Sequence, residues 1–131
     1  MPNPLRHVLC VDDEEDILEI IQLCLGDLKN IRVTCEAKVE FAIQSLAATA
    51  PDLILLDMMM PKINGMVAMG QFRQQTGFQK IPIVLMTARA QPHEIKQYID
   101  GGATSVITKP FDPMTLGDRV IQIWNDYDAE Q

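Results

Sequence analysis

The chain has no apolar run that could cross a bilayer. Even the longest uninterrupted ones, Leu53 to Leu56 and Ile83 to Met86 among them, fall far short of the roughly 20 residues a membrane-spanning helix requires. The start carries no secretory pattern either: Met1 to His7 holds one arginine and passes straight into a strand-like run, without a long apolar region or a small-residue cleavage site. A cytoplasmic protein is the expectation. Basic residues are scarce, 11 against 18 acidic, for a formal charge of −7. Such a surface repels phosphate backbones and anionic lipid head groups, which argues against direct nucleic-acid or membrane binding. Cysteine is sparse too. Cys10, Cys24 and Cys35 are odd in number, sit within apolar runs and form no CxxC pair, so buried thiols are expected rather than a disulfide framework or a zinc site. Neither G-x-G-x-x-G nor G-x-x-x-x-G-K-S/T follows the first strand-like run, which removes the usual signature of a nucleotide- or flavin-binding domain. Repeats, low-complexity tracts and long linkers are absent, and 131 residues suit one core. The expectation is a single domain over residues 1–131, with only Asp128 to Gln131 left beyond the last helix and hence no effector domain.

What the sequence does contain is a regular alternation of short apolar runs with segments of helical period. Leu5 to Val11, Ile31 to Cys35, Leu53 to Leu56, Ile81 to Met86 and Ser105 to Thr108 read as strands. Several are almost continuously apolar, as strands covered on both faces must be. Between them Ile17, Ile20, Ile21, Cys24, Leu25 and Leu28 recur at spacings of three and four, as do Val39, Ala42, Ile43 and Leu46. A third helix is expected from Gly65 to about Gln75. A fourth opens near Pro92 and stops before Gly101-Gly102, where glycine can take the left-handed cap conformation. The fifth opens with Asp112 as N-cap and Pro113 in its first turn, and aligns Leu116, Val120, Ile123, Trp124 and Tyr127. The reading is an α/β (βα)₅ fold, a doubly wound parallel sheet of flavodoxin-like order 2-1-3-4-5, with any ligand beyond the carboxyl ends of its strands.

Four of those ends carry groups suited to a charged ligand: Val11 runs into Asp12-Asp13, Leu56 into Asp57, Met86 into Thr87 and Thr108 into Lys109. In the order 2-1-3-4-5 the first and third strands are neighbours, which brings Asp12, Asp13 and Asp57 together. Three crowded carboxylates stay ionised only beside a cation, and hard oxygen ligands with room for water suit Mg²⁺. Lys109 adds a mobile positive charge and Thr87 a hydroxyl donor. Carboxylate, metal, lysine and hydroxyl together describe phosphoryl transfer, with a carboxylate as nucleophile. The set Asp12-Asp13, Asp57 followed by Met60-Pro61 and Asn64-Gly65, Thr87-Ala88 and Lys109-Pro110 is similar to the receiver domain of bacterial two-component response regulators, over nearly the whole chain. The resemblance implies a stand-alone, chemotaxis-regulator-like switch. Asp57 would accept a phosphoryl group from a histidine kinase or histidine phosphotransfer protein. Asp13, Asp57 and the backbone carbonyl of Met59 would ligate Mg²⁺, Asp12 would assist through water, and Thr87 and Lys109 would bind the phosphoryl oxygens. The output would run through the face of the fourth helix, fifth strand and fifth helix, to a downstream protein or a second copy.

Simpler readings apply to other residues. Glu14, Glu15 and Asp16 are an acidic helix start favoured by the helix dipole. The eight methionines serve as adaptable packing, and Trp124 as a core anchor of the last helix. Two features depart from the family's habit. Val106 stands where an aromatic side chain often swings inward on phosphorylation. Met59 and Arg89, two residues beyond Asp57 and Thr87, flank the approach of hydrolytic water. A competing function is a phosphatase of the haloacid-dehalogenase type, which also forms an aspartyl-phosphate. That chemistry needs a second Asp two residues beyond the nucleophile, and Met59 is there instead.

Overall fold

The computed structural model describes residues 3–131. Five strands, β1 (His7–Val11), β2 (Arg32–Glu36), β3 (Leu53–Asp57), β4 (Ile83–Thr87) and β5 (Ser105–Thr108), form one parallel sheet in the order β2-β1-β3-β4-β5. The helices are α1 (Glu15–Ile21), α2 (Val39–Thr49), α3 (Gly65–Arg73), α4 (Pro92–Asp100) and α5 (Pro113–Ala129). The fold class and strand order are those expected from the sequence. Right-handed crossovers place α1 and α5 on one face and α2, α3 and α4 on the other. Each face has its own core. Val8, Cys10, Leu53, Leu55, Val84 and Met86 meet α1 and α5, while Leu9, Val11, Ile54, Leu56, Ile83 and Leu85 meet the other three helices. The two-residue period of a strand thus accounts for central runs that are apolar at every position. Cys10 and Cys24 are buried and Cys35 partly so, all as free thiols.

Several boundaries move, each for a backbone reason. β4 begins at Ile83 rather than Ile81, because Pro82 has no N–H to donate to the ladder, although its carbonyl still accepts from Ile54. β3 and β4 each extend one residue into polar territory. Asp57 pairs with Met86, and Thr87 with Thr108. Leu5 and Arg6 lie outside β1, and β2 is shifted by one residue so that Glu36 pairs with Val11.

The first helix departs most from expectation. After Ile21 it widens into a π-helical stretch over Gln22–Asp27. The wider turn adds a residue per cycle and rotates the face, so Leu28, placed by its spacing on the apolar stripe, is 54% exposed, while Cys24 and Leu25 remain buried. α3 ends at Arg73, two residues early. At the end of α4, Gly101 keeps a right-handed conformation and only Gly102 takes the positive φ, at 117°. α5 is capped as its sequence suggests: the Asp112 carboxylate accepts from the Met114 N–H at 2.9 Å, with Pro113 in the first turn. Trp124 is buried, and its indole N–H donates to the carbonyl of Asn3.

Candidate functional site

The carboxyl edge of the sheet collects the polar strand ends. Alternation along β1 and β3 sends Asp12 and Asp57 to the side of Val8, Cys10, Leu53 and Leu55. Lys109, two residues beyond Ile107, follows to that side. One carboxylate oxygen from each of Asp12, Asp13 and Asp57 lies within 4.8 Å of the others. Asp12 is fully buried and Asp57 3% exposed, whereas Asp13 faces solvent. The Lys109 ammonium donates to Asp12 Oδ2 at 2.8 Å and to Asp57 Oδ1 at 3.2 Å. Asp12 Oδ1 also accepts the Glu14 N–H at 2.9 Å, and Asp57 Oδ1 accepts the Met59 N–H at 3.3 Å.

Charge at this edge is poorly solvated and only partly compensated. Burial, then the neighbouring Asp12 charge, pushes the Asp57 carboxyl up to about 6, against the opposing pull of Lys109 and the Met59 N–H. Burial works against the Lys109 ammonium as well. The hydrogen bond and charge of Asp12, followed by those of Asp57, outweigh it and raise the lysine above its ordinary value. One lysine thus serves two buried carboxylates, while Asp13 extends the acidic group into solvent. A groove of about 460 Å³ runs beside Asp13 and is lined by Lys38, Val39, Ile43, Pro61 and Ile63 among others.

The segment after β3 is held by local chemistry. Met58 accepts the Gly65 N–H at 2.8 Å, and Met59 forms an antiparallel bridge with Asn64. Asn64 caps α3 through its side chain, accepting from the Val67 N–H at 3.0 Å. Gly65 is required at the next position. A Cβ there would lie 2.9 Å from Met58 Cα and 3.1 Å from the carbonyl of Asp57. The Asn64-Gly65 pair therefore keeps α3 close under Asp57, and Met59, with its side chain 64% exposed, stays at the rim.

Asp12, Asp13, Asp57, Lys109 and the Met59 backbone are thus brought together. Thr87 stands apart from them in orientation, because it shares the parity of Ile83 and Leu85 and belongs to the opposite face. Its hydroxyl is buried and accepts the Arg89 N–H at 3.0 Å. Glu14, Glu15 and Asp16 are exposed, with Glu15 and Asp16 in the first turn of α1, in keeping with a solvated helix start. Val106 is half-buried in the core under α4. A contact absent from the sequence reading is that of Tyr98, on α4, whose hydroxyl donates to the carbonyl of Arg89 at 3.2 Å. The three-residue spacing of Ile95 and Tyr98 could have put the ring toward the sheet, but nothing in the sequence names the carbonyl it reaches.

Among the described residues no helix is long and apolar enough to cross a membrane. Residues 8–121 match the response regulator receiver domain. Response regulator Rre1 of Synechocystis is 33% identical over 116 residues, covering 88% of this chain and 50% of its own. The alkaline phosphatase synthesis transcriptional regulatory protein PhoP of Bacillus subtilis is 34% identical over 115 residues, covering 88% and 47%. The chain therefore spans about half the length of these curated relatives. Among solved structures, chemotaxis protein CheY4 of Vibrio cholerae superposes with a TM-score of 0.83 at 27% identity, covering 91% of this chain and 98% of that one. The BeF3-activated N-terminal receiver domain of RstA from Klebsiella pneumoniae gives 0.76 at 28% identity, covering 91% and 98%. With the strand order and the acidic edge already in view, the match over residues 8–121 means that this chain belongs to the response regulator receiver domain family.

Proposed function

We propose that the chain is a phospho-accepting signalling switch in which Asp57 takes a phosphoryl group from the phosphohistidine of a histidine kinase or histidine phosphotransfer protein. The observation that carries this reading is the convergence of Asp12, Asp13 and Asp57 within 4.8 Å, with Lys109 bonded to both Asp12 and Asp57. An Asp57 oxygen attacks phosphorus, the new P–O bond forms as the P–N bond breaks, and the imidazole leaves with the electron pair. Lys109 is already within bonding distance of the attacking carboxylate and can transfer its donors to a phosphoryl oxygen. Thr87 supplies a hydroxyl proton from the other side once it turns toward the site.

The donor set suits a hard divalent cation. It consists of carboxylate oxygens and a rim carbonyl, with solvent access at Asp13. Asp12, Asp13, Asp57 and the Met59 carbonyl would hold Mg²⁺. The ion would supply the positive charge that lets an anionic phosphoryl group approach a carboxylate cluster. Met59, two residues beyond Asp57, offers no acid or base, which favours a phosphoacceptor over a phosphatase of haloacid-dehalogenase type. We read residues 1–131 as one receiver unit working in the cytoplasm. Its output face is α4, β5 and α5, on which a downstream protein or a second copy docks.

Incubation with Mg²⁺ and acetyl phosphate, followed by intact-mass measurement, tests the assignment. The wild type should gain one phosphoryl mass and the Asp57→Asn variant none; a phosphorylated variant would remove Asp57 as the acceptor.

A further inference from the structure

Arg89 is tied on both sides of its backbone by hydroxyl groups. Its N–H donates to Thr87 Oγ1 at 3.0 Å, and its carbonyl accepts from the Tyr98 hydroxyl at 3.2 Å. Thr87 is 1% exposed and Tyr98 8% exposed, so each bond, part-buried as a whole because Arg89 itself faces solvent, has a buried hydroxyl for which a lost partner is costly. The two hydroxyls belong to different elements. Thr87 ends β4, beside the phosphorylation edge, whereas Tyr98 stands in the last turns of α4. One loop residue therefore joins the site to the helix.

We propose that Tyr98 is a positioning residue that latches the loop between β4 and α4 in its unphosphorylated arrangement, and that this latch couples Asp57 to α4. The proposal rests on the phosphoacceptor reading above. Thr87 projects to the face of α2, α3 and α4, away from the parity of Asp57. To reach a phosphoryl oxygen its hydroxyl must turn, and the Arg89 N–H it now accepts must then follow or be released. In either case the peptide of Arg89 moves. The carbonyl on that residue is the one Tyr98 holds, so the strain passes directly to α4. The core packing leaves this role to Tyr98. Val106, on β5 in the same core, has no polar atom and no ring to swing. Tyr98 brings an aromatic ring and a hydroxyl from the helix side instead.

Because coupling between a ligand and a conformational state is reciprocal, a latch that favours the unphosphorylated arrangement must weaken binding of a phosphoryl mimic. Tyr98→Phe keeps the ring and removes only the bond to Arg89. In the presence of Mg²⁺ the variant should bind beryllofluoride roughly two- to tenfold more tightly than wild type, the span of one net hydrogen bond. In its free form, the amide signals of residues 88–91 should move along the line toward their positions in beryllofluoride-bound wild type. Tyr127→Phe is the control, since its hydroxyl donates to the carbonyl of Lys80 at the opposite edge of the sheet. It should change neither quantity, even if it lowers the melting temperature. An unchanged or weaker beryllofluoride affinity in Tyr98→Phe, with wild type binding normally, would overturn the latch alone. Failure of the wild type itself to bind beryllofluoride would overturn the phosphoacceptor reading and the latch with it.

Discussion

Neutralising Asp57 should stabilise the metal-free protein, and the size of the effect follows from the site. Its carboxyl titrates at about 6 in the fold against an ordinary value of 3.8, raised by burial and by Asp12. Two units correspond to about 3 kcal/mol of penalty for holding the group ionised in the folded state. The group is almost entirely removed from solvent, so little of this is screened away. Asp57→Asn removes that penalty. Its amide hydrogens need new acceptors in a tight place, which returns about 1–2 kcal/mol. The expected net gain is about 1–2 kcal/mol. With an unfolding entropy of roughly 2 cal/mol/K per residue, a chain of this length gains about 4 °C for each kcal/mol, hence about 4–8 °C. The pH dependence distinguishes this cause from general repacking. A raised folded-state pKa contributes stability that is present below about pH 4 and is lost as pH rises through about 6. The difference between variant and wild type should therefore open across that window and stay level above about pH 7. Mg²⁺ should close it again, because the ion binds the folded wild type and stabilises it by mass action. Thermal unfolding in chelator-containing buffer from about pH 4 to about pH 8 checks the argument. A variant less stable than wild type at about pH 7.5, or a difference that does not change with pH, would refute the electrostatic account.

Three further outcomes are expected. Asp13→Ala should weaken Mg²⁺ binding, followed by titration calorimetry, since Asp13 is the solvent-facing carboxylate of the cluster; unchanged affinity would remove it from the metal site. Gly65→Ala should cost about 1–3 kcal/mol in chemical unfolding and slow phosphoryl uptake, because the added methyl meets the Met58 and Asp57 backbone; a loss of neither would mean the α3 contact is not what holds Asp57 in place. In a beryllofluoride-activated sample, amide shift changes should concentrate in residues 87–112 and be blunted by Thr87→Ala. Changes confined to α1 and α2 would contradict an output through α4, β5 and α5.

Much of this molecule could be read from one-dimensional pattern because the pattern has a local cause. Strands buried on both faces must be apolar throughout, so the first polar residue after each run marks the edge where the ladder ends. Asp12 follows directly from that rule; Lys109 lies one residue beyond it, because Thr108, the first polar residue after Val106-Ile107, still pairs with Thr87. Asp57 and Thr87 sit one residue inside it, because backbone pairing does not depend on side-chain polarity. The widened turn after Ile21 was not legible: an amphipathic stripe presumes a constant 3.6-residue turn, and Leu28 is exposed because that presumption fails midway. The Tyr98 contact was not legible either, since a side-chain hydroxyl chooses its acceptor by tertiary proximity rather than by periodicity.

The same alternation that builds the two cores also divides the labour of the site. Asp12, Asp57 and Lys109 carry the parity of the α1 and α5 core, so the charged groups of the acidic edge lie on that side. Thr87 carries the parity of the other core, and its hydroxyl bond runs toward Arg89 and, through Arg89, to Tyr98 on α4. β1, β3 and β4 are buried along their whole length between the two cores. In the switch proposed above, the route from Asp57 to α4 runs over this edge, where Thr87, of the opposite parity, bonds to Arg89. On that proposal the physical requirement on position 87 is double. It needs a hydroxyl small enough to turn and able to accept from its own loop at rest and donate to an anion when called upon. Serine would satisfy both; valine, with the same shape as threonine and no hydroxyl, would satisfy neither, and would leave the Arg89 N–H without its partner before any phosphoryl group arrived.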